Sequence, residues 1–325
     1  MTALAAGTTG TGGSGPGVRV RVPATAANLG PGFDVLALAL SCYNEFDVTL
    51  GVPALRIDIT PPAPDLPRDA TNLFVRAFAA LCRAADRPVP PVAITMRLGI
   101  PPGRGLGSSA TAVVGGLVAA NTLLGVRLPA ATLLPLAVAE EHGHHADNVA
   151  AALLGGLTVS FAEADTWQAV RLPVPDGLRA VLFVPDMPMD TVQGRTLLPA
   201  AYPRADVVHS TGRVALAVAA LTTGRLDLLR PAMQDRLHQP YRAQIFPALP
   251  RLIAAAEAAG AYGACLSGGG SSVLALTAPR PASLAVARAL VAAAAVEGLT
   301  GRTLILTVDR HGAQAVALPA LGGAP

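Results

Sequence analysis

Polar and apolar residues alternate along "VRVRVPATAA" (residues 18–27), the pattern of a strand with one buried face. "FDVTLG", "LRIDITPP" and "VAITMRLGIPP" predict further strands, the last stopped by its prolines. In "ATNLFVRAFAALCRAA" (70–85) the spacing of Leu73, Phe74, Ala77, Phe78 and Leu81 predicts a helix. Helices are also predicted after Ser108, across "LPAATLLPLAVAEE" and across "ADNVAAALLGG". Two strands follow, "LTVSF" and "RAVLFVPDM", separated by a polar connector over 162–177. Beyond it come helix "VVHSTGRVALAVAALTTG", helix "LPRLIAAAEAAG", a strand and turn in "GACLSGGGSSVLAL", helix "ASLAVARALVAAAAVEG" and strand "RTLILTVD". This is an α+β pattern. The connector is the best candidate boundary: a flexible Gly/Thr tail over 1–17, a first domain over 18–170 and a second over 171–325.

Composition narrows the class. The chain has 325 residues, enough for two domains; 52% are hydrophobic and 14% charged, which supplies a core and argues against disorder. With 4% aromatic residues, that core is built mainly from Ala, Leu and Val. The net charge is +3 with no basic run interleaved with aromatics, so nucleic acid is not an expected partner. All 24 basic residues are arginine. Three distant cysteines, Cys42, Cys82 and Cys265, are not a disulfide framework and fit a reducing compartment. The N-terminus lacks the charged and apolar regions of a secretory leader, so a cytoplasmic location is expected. Residues 105–126 carry no charge, but Ser108, Ser109, Thr111, Asn121 and Thr122 interrupt them; a buried helix is predicted rather than a membrane span.

"IPPGRGLGSSATAVVGG" (100–116) carries the first chemistry. A strand ends at Pro101–Pro102, and glycines at 103, 105 and 107 permit positive φ and a close ligand approach. Ser108 and Ser109 then stand at a helix N-terminus, where free N–H groups and the helix dipole favour an anion. A turn before a buried helix would have the same composition. The Walker loop and the protein-kinase motifs both require a lysine, and the chain has none.

The loop has company. "VPATAANLGPGFDVLALAL", the glycine loop "PPGRGLGSSA", "HADNVAAALLGG", "GRTLLPAAYPRADVVHSTGRVALAVAAL", "DRLHQPYR" and "LSGGGSSVLAL" occur in that order. Together they resemble the GHMP kinase superfamily and, within it, the homoserine kinases, from about Val18 to Asp309. The resemblance implies a two-domain α+β fold, the N-terminal domain like ribosomal protein S5 and the C-terminal one ferredoxin-like, with ATP at their junction. It implies ATP and Mg²⁺ as cofactors, L-homoserine as substrate, and O-phosphohomoserine as a product on the route to threonine. It also carries the family's frequent homodimer as an expectation.

The resemblance assigns residues too. Pro101, Gly103, Arg104, Gly105, Leu106, Gly107, Ser108 and Ser109 correspond to the phosphate loop, Asn72 to a base contact and Thr191 to a residue near the transferred phosphate. Ser109 and Glu141 correspond to magnesium ligands, with Glu140 an alternative to Glu141. Arg195 and Arg242 match the pair that grips the substrate carboxylate, Asp34 the ammonium partner, and Asn28 and His145 further pocket residues. Asn148 matches the residue that hydrogen-bonds the reacting hydroxyl; Asp147 is read as a helix cap. The cluster His142, His144 and His145 lacks HEXXH or paired Cys/His spacing, so no transition-metal site is read there. The chain departs from the family pattern at Gly143, His144, Ala146, Gly269, Ser271 and Ala37. Two other readings stand beside the main one: a kinase of the same superfamily acting on a homoserine analogue, and a catalytically silent ligand sensor.

Overall fold

The computed structural model describes residues 15–61, 63–141, 144–164, 166–189 and 191–319, and the side chains of all of these except Thr191 and Val192. The N-terminal half contains β1 (Gly17–Ala27), β2 (Leu36–Thr49), β3 (Arg56–Thr60), α1 (Leu73–Ala84), β4 (Ala93–Leu98), α2 (Ser108–Leu123), α3 (Ala130–Glu140), α4 (Asp147–Leu154), β5 (Leu157–Glu163) and β6 (Thr166–Leu172). The C-terminal half contains β7 (Arg179–Pro185), α5 (Thr191–Thr196), α6 (Arg204–Thr223), a 3₁₀ turn (Leu226–Leu228), α7 (Leu229–Ala232), α8 (Gln239–Arg242), α9 (Leu249–Ala258), β8 (Gly263–Leu266), β9 (Val273–Thr277), α10 (Ala282–Val296), β10 (Gly301–Thr307) and β11 (Gln314–Leu318). No described helix is long and apolar enough to cross a membrane.

Two sheets result. The first runs β11-β1-β2-β4-β3, with β5 pairing the early part of β2 and β6 pairing β5; the second runs β10-β7-β9-β8. The change of sheet falls between Leu172 and Arg179, and β11 returns from the C-terminal half to pair with β1. The segment 162–177, read above as a connector, holds β6, and β11 lacked any strand signal. Both are exposed strands: β11 is largely solvent-facing, and Val170 in β6 is 50% exposed, so neither shows a strong buried period.

In β1 the alternation is real for half the strand. Val18, Val20 and Val22 enter the core while Arg19 and Arg21 face outward. The register then shifts at Pro23/Ala24, and Ala24–Ala27 are buried on both faces. On one side Ala27, Ala37 and Ala39 pack on Ala151 of α4; on the other Ala24, Ala26, Leu36, Leu38 and Leu40 join Leu182 and Leu274 of the second sheet. This double-sided strand pair is the seam on which the glycine loop sits.

The helical layer is closed by close approach. Phe46 and Phe74 have ring centroids 4.8 Å apart, and Gly115 and Gly116 of α2 leave room for them and for α1. A Cβ on Gly116 would collide with the Phe74 carbonyl. Alanine is the better helix former by about 1 kcal/mol, yet Gly116→Ala is expected to destabilise the fold by about 2 kcal/mol through overpacking. Urea unfolding should give a lowered midpoint; a raised midpoint would show that α1 yields without cost.

Candidate functional site

The glycine loop joins β4 to α2 in a conformation only glycine accommodates. Gly103, Gly105 and Gly107 have φ of 67°, 69° and 68°. A Cβ on Gly105 would strike the Ser267 carbonyl, and one on Gly107 the Thr25 hydroxyl. Gly107 begins α2 without any side-chain cap, and the first turn has no acidic residue, so the N–H groups at Ser108 and Ser109 face no capping side chain. The 16-residue helix behind them aims its positive end at the loop.

The loop is stitched to both halves. Thr25 N–H donates to the Leu106 carbonyl (3.1 Å), and Leu106 itself is buried. Ser267 Oγ donates to the Gly105 carbonyl (2.7 Å), Ser272 N–H to the Arg104 carbonyl (3.2 Å) and Met189 N–H to the Gly103 carbonyl (3.3 Å). The Arg104 side chain donates to the carbonyls of Pro185 (2.9 Å), Pro102 and Asp186, so its charge is used to hold the loop to the end of β7. Pro101, half-buried, opens the turn. The turn "LSGGGSS" therefore serves as the second wall of the loop.

In the first turn of α2, Ser109 Oγ donates to Glu141 Oε1 (2.7 Å). Glu141 follows α3, is 6% exposed, and its Oε2 is buried with no partner. Burial pushes its carboxyl up to about 7, against the opposing effects of the Ser109 hydrogen bond and of His145. The neighbouring Glu140 instead faces Arg76 (3.0 Å). Of the two glutamates, only Glu141 combines with Ser109 into a cluster of hard oxygen donors with spare capacity.

A charged group stands across the seam. Asn28 and Asp34 both have positive φ (72° and 61°), and the Asn28 side chain ties them: its Oδ1 accepts from Asp34 N–H (3.0 Å) and its Nδ2 donates to the Gly268 carbonyl (2.9 Å). Arg195 of α5 makes two bonds to Asp34, 2.9 and 2.7 Å, in fork geometry. Arg242, at the end of α8, is 3% exposed; it donates to His238 Nδ1 (2.9 Å) and the Gly268 carbonyl (3.2 Å), and its Nε is buried without a partner. Burial and the Arg195 charge bring its pKa down to about 10. Both guanidinium carbons lie within 5.4 Å of the Phe33 ring centroid.

His238 lies inside "DRLHQPYR", with no local pattern of its own to mark it as a site residue. It is fully buried, stacks on Phe33 (5.1 Å) and donates from Nε2 to the Gly30 carbonyl (2.8 Å) while Nδ1 accepts from Arg242. Burial holds its pKa down, at about 4, so it stays neutral and can accept from the guanidinium. Asp235 caps this turn by accepting from the N–H groups of Leu237, His238 and Gln239.

Between loop and charged group stands the start of α4. Asp147 is 1% exposed; its Oδ1 meets His145 Nδ1 (2.9 Å) and accepts from Asn148 N–H (2.8 Å). Burial opposes charge on His145, but Asp147, Asp34 and Glu141 outweigh it and raise its pKa. Asp34, His145 and Asp147 each bring one ligand atom within 4.8 Å of the others. Asn148 Oδ1 accepts from Thr25 Oγ1 (2.7 Å). His144 is exposed, and His142 and Gly143 lie outside the described residues. Asn72 is occupied locally: Oδ1 caps α1 at Phe74 N–H and Nδ2 donates to the Pro67 carbonyl. Thr191 opens α5, and its side chain is outside the described set.

Comparison with known proteins gives a consistent picture. The family "GHMP kinases N terminal domain" matches residues 72–156, and "GHMP kinases C terminal" matches 217–296. The chain is 43% identical over 298 residues to a homoserine kinase of Trichormus variabilis, covering 91% of this chain and 98% of that protein. It is 41% identical over 293 residues to a homoserine kinase of Deinococcus radiodurans, covering 90% and 95%. The crystal structure of homoserine kinase from Cytophaga hutchinsonii superposes with a TM-score of 0.85 at 31% identity, covering 92% of this chain and 97% of that one.

The Glu141 carboxyl makes a pH prediction. Its ordinary value is 4.5 and its folded value about 7, so the folded chain retains a proton that the unfolded chain has released between them. The stability this contributes is complete below 4.5 and lost as pH rises through about 7. At about 1.4 kcal/mol per pH unit, Glu141→Gln, always neutral, should be more stable than the parent by about 3 kcal/mol at pH 8 without divalent cations. Urea midpoints across pH should show the gap closing towards pH 4.5. Equal stabilities at pH 8 would mean that the carboxylate is compensated in the folded chain.

Proposed function

We infer the reaction from one premise, that this chain belongs to the homoserine kinases of the GHMP kinase superfamily. It transfers the γ-phosphoryl group of ATP to the side-chain hydroxyl of L-homoserine, on the route to threonine. The hydroxyl oxygen forms the new P–O bond, the bond from the γ-phosphorus to the bridging oxygen breaks, and ADP, O-phosphohomoserine and a proton are released. The observation that carries the assignment of roles is one seam with an uncapped helix N-terminus on one side and an Asp34–Arg195–Arg242 group on the other.

In our reading the free N–H groups at Gly107–Ser109 and the α2 dipole hold the phosphates. The cluster of Ser109 and Glu141 fits a magnesium ion, since the unpartnered Oε2 and the hydroxyl are the oxygen donors it prefers. That ion, when bound, neutralises charge on the phosphate oxygens. Arg104 acts on the backbone of the loop, and Asn72 orders the start of α1 beside the nucleotide.

The substrate's two charged ends take over partners that the protein now gives to itself. Its carboxylate lies between Arg195 and the spare Nε of Arg242, and its ammonium takes Asp34, so the Asp34–Arg195 pair opens as both ends arrive. Neutral His238 keeps the Arg242 fork in place, and Phe33 supplies its floor. His145, held by Asp147, and Asn28 shape the same pocket. Asn148 aims the hydroxyl. Phosphoryl transfer asks mainly for positioning and charge stabilisation, which this arrangement supplies without a dedicated base.

The test is ADP release with Mg-ATP against L-homoserine, L-serine, L-threonine, mevalonate and galactose. Homoserine should support strong turnover alone. Arg195→Ala should raise the homoserine KM on the order of 100-fold with a smaller change in kcat, because a ground-state contact is removed. Turnover of a different alcohol would keep the kinase and overturn the substrate. Binding of ATP or homoserine with no turnover would favour the silent sensor.

A further inference from the structure

Thr25 is fully buried in β1, outside every motif position assigned a role above, yet three parts of the site meet at it. Its N–H holds the Leu106 carbonyl of the glycine loop. Its hydroxyl lies where any side chain on Gly107 would have to be. The same hydroxyl donates to Asn148 Oδ1 at 2.7 Å.

The amide of Asn148 can be accounted for atom by atom. Oδ1 is occupied by Thr25. Nδ2 carries two hydrogens, and one is turned to Asp147 Oδ1 at 3.3 Å. One N–H is left. The Asp147 carboxylate can only accept, which keeps Nδ2 on its side and leaves Oδ1 to take the Thr25 hydroxyl, so the two partners together decide how the amide faces the site.

We propose that Thr25 is a positioning residue for phosphoryl transfer: with the Asp147 carboxylate setting the polarity, its hydroxyl locks the Asn148 amide so that Nδ2–H, and not Oδ1, meets the acceptor hydroxyl. The proposal rests on the reading of Asn148 given above. The chemistry favours this polarity. An N–H donated to the hydroxyl oxygen takes one lone pair and leaves the other free to attack phosphorus, with the O–H bond turned elsewhere. A flipped amide would accept the hydroxyl proton instead and leave the lone pairs of that oxygen with no donor to direct them. Because the same threonine is bonded to the loop backbone, the acceptor oxygen and the phosphate cradle are positioned from one atom cluster.

The experiment measures kcat and homoserine KM for Thr25→Val, Thr25→Ser, Thr25→Ala, Asn148→Ala and Asn148→Asp, with thermal melts as the folding control. Thr25→Val keeps the shape and loses the donor. It should lower kcat on the order of tenfold to 100-fold with KM within about threefold, and Thr25→Ser should restore kcat to within about threefold of the parent. Asn148→Asp, which keeps acceptors and removes the donor, should lose kcat as Asn148→Ala does. If Thr25→Val does not fold, Thr25→Ala read against Thr25→Ser carries the same comparison. Parental kcat in the hydroxyl-free variant, with activity lost in Asn148→Ala, would overturn the role of Thr25 and leave Asn148 in place. Parental kcat in Asn148→Asp would overturn the donor polarity. Parental kcat in Asn148→Ala would remove the reading of Asn148 itself, and the proposal with it.

Discussion

The absence of a Cβ at Gly105 and Gly107 is the constraint on which the site depends. At both positions the backbone is left-handed and the space a side chain would need is filled, by the Ser267 carbonyl and the Thr25 hydroxyl. This lets the loop lie flat against the turn between β8 and β9 and against β1 at once. The uncapped end of α2 is then aimed at a fixed point. An alanine at either position would move the loop, the helix end and the contact between halves together.

The seam beneath that loop explains why the site is rigid. The later part of β1 and the early part of β2 are buried and, Thr25 aside, apolar on both faces, packed on Ala151 of α4 on one side and on Leu182 and Leu274 of the second sheet on the other. Interiors packed this closely resist small displacements. Thr25, Asn28 and Asp34 are carried on or just after this strand, so their positions inherit its rigidity. Arg195, Arg242 and His238 come from the other half and meet them around Phe33.

A chain with few charges places several of them where water is scarce. Glu141, Asp147 and Arg242 are each at least nine-tenths buried. Unpaired buried charge is costly, and the protein manages it in two ways. Asp147 is satisfied by His145 and the Asn148 N–H. Glu141 and Arg242 keep one orphaned atom each, and their pKa values move towards neutrality, to about 7 and about 10. Such incomplete satisfaction fits sites that complete themselves with a cation and an anion from outside.

The sequence by itself determined the α+β class, nearly all the strong helices and strands, and the family, because amphipathic periods and glycine-rich motifs are local signals. Val18, Val20 and Val22 announce a strand, and Gly105 and Gly107 announce a special backbone. The exposed strands β6 and β11 were hidden, since an edge strand with little buried surface leaves a weak period. The resemblance named Glu141 with Glu140 as an alternative, and local pattern could not separate them: adjacent residues differ only in what they face, Arg76 for Glu140 and Ser109 for Glu141. Asn72, which the resemblance assigns to a base contact, also caps α1 through Oδ1, a contact that its residue type alone did not announce. Thr25 and His238 gave no signal beyond lying within motifs. Their partners are 123 and 208 residues away, so only the fold, which brings Asn148 and the Gly30 carbonyl to them, decides what they do.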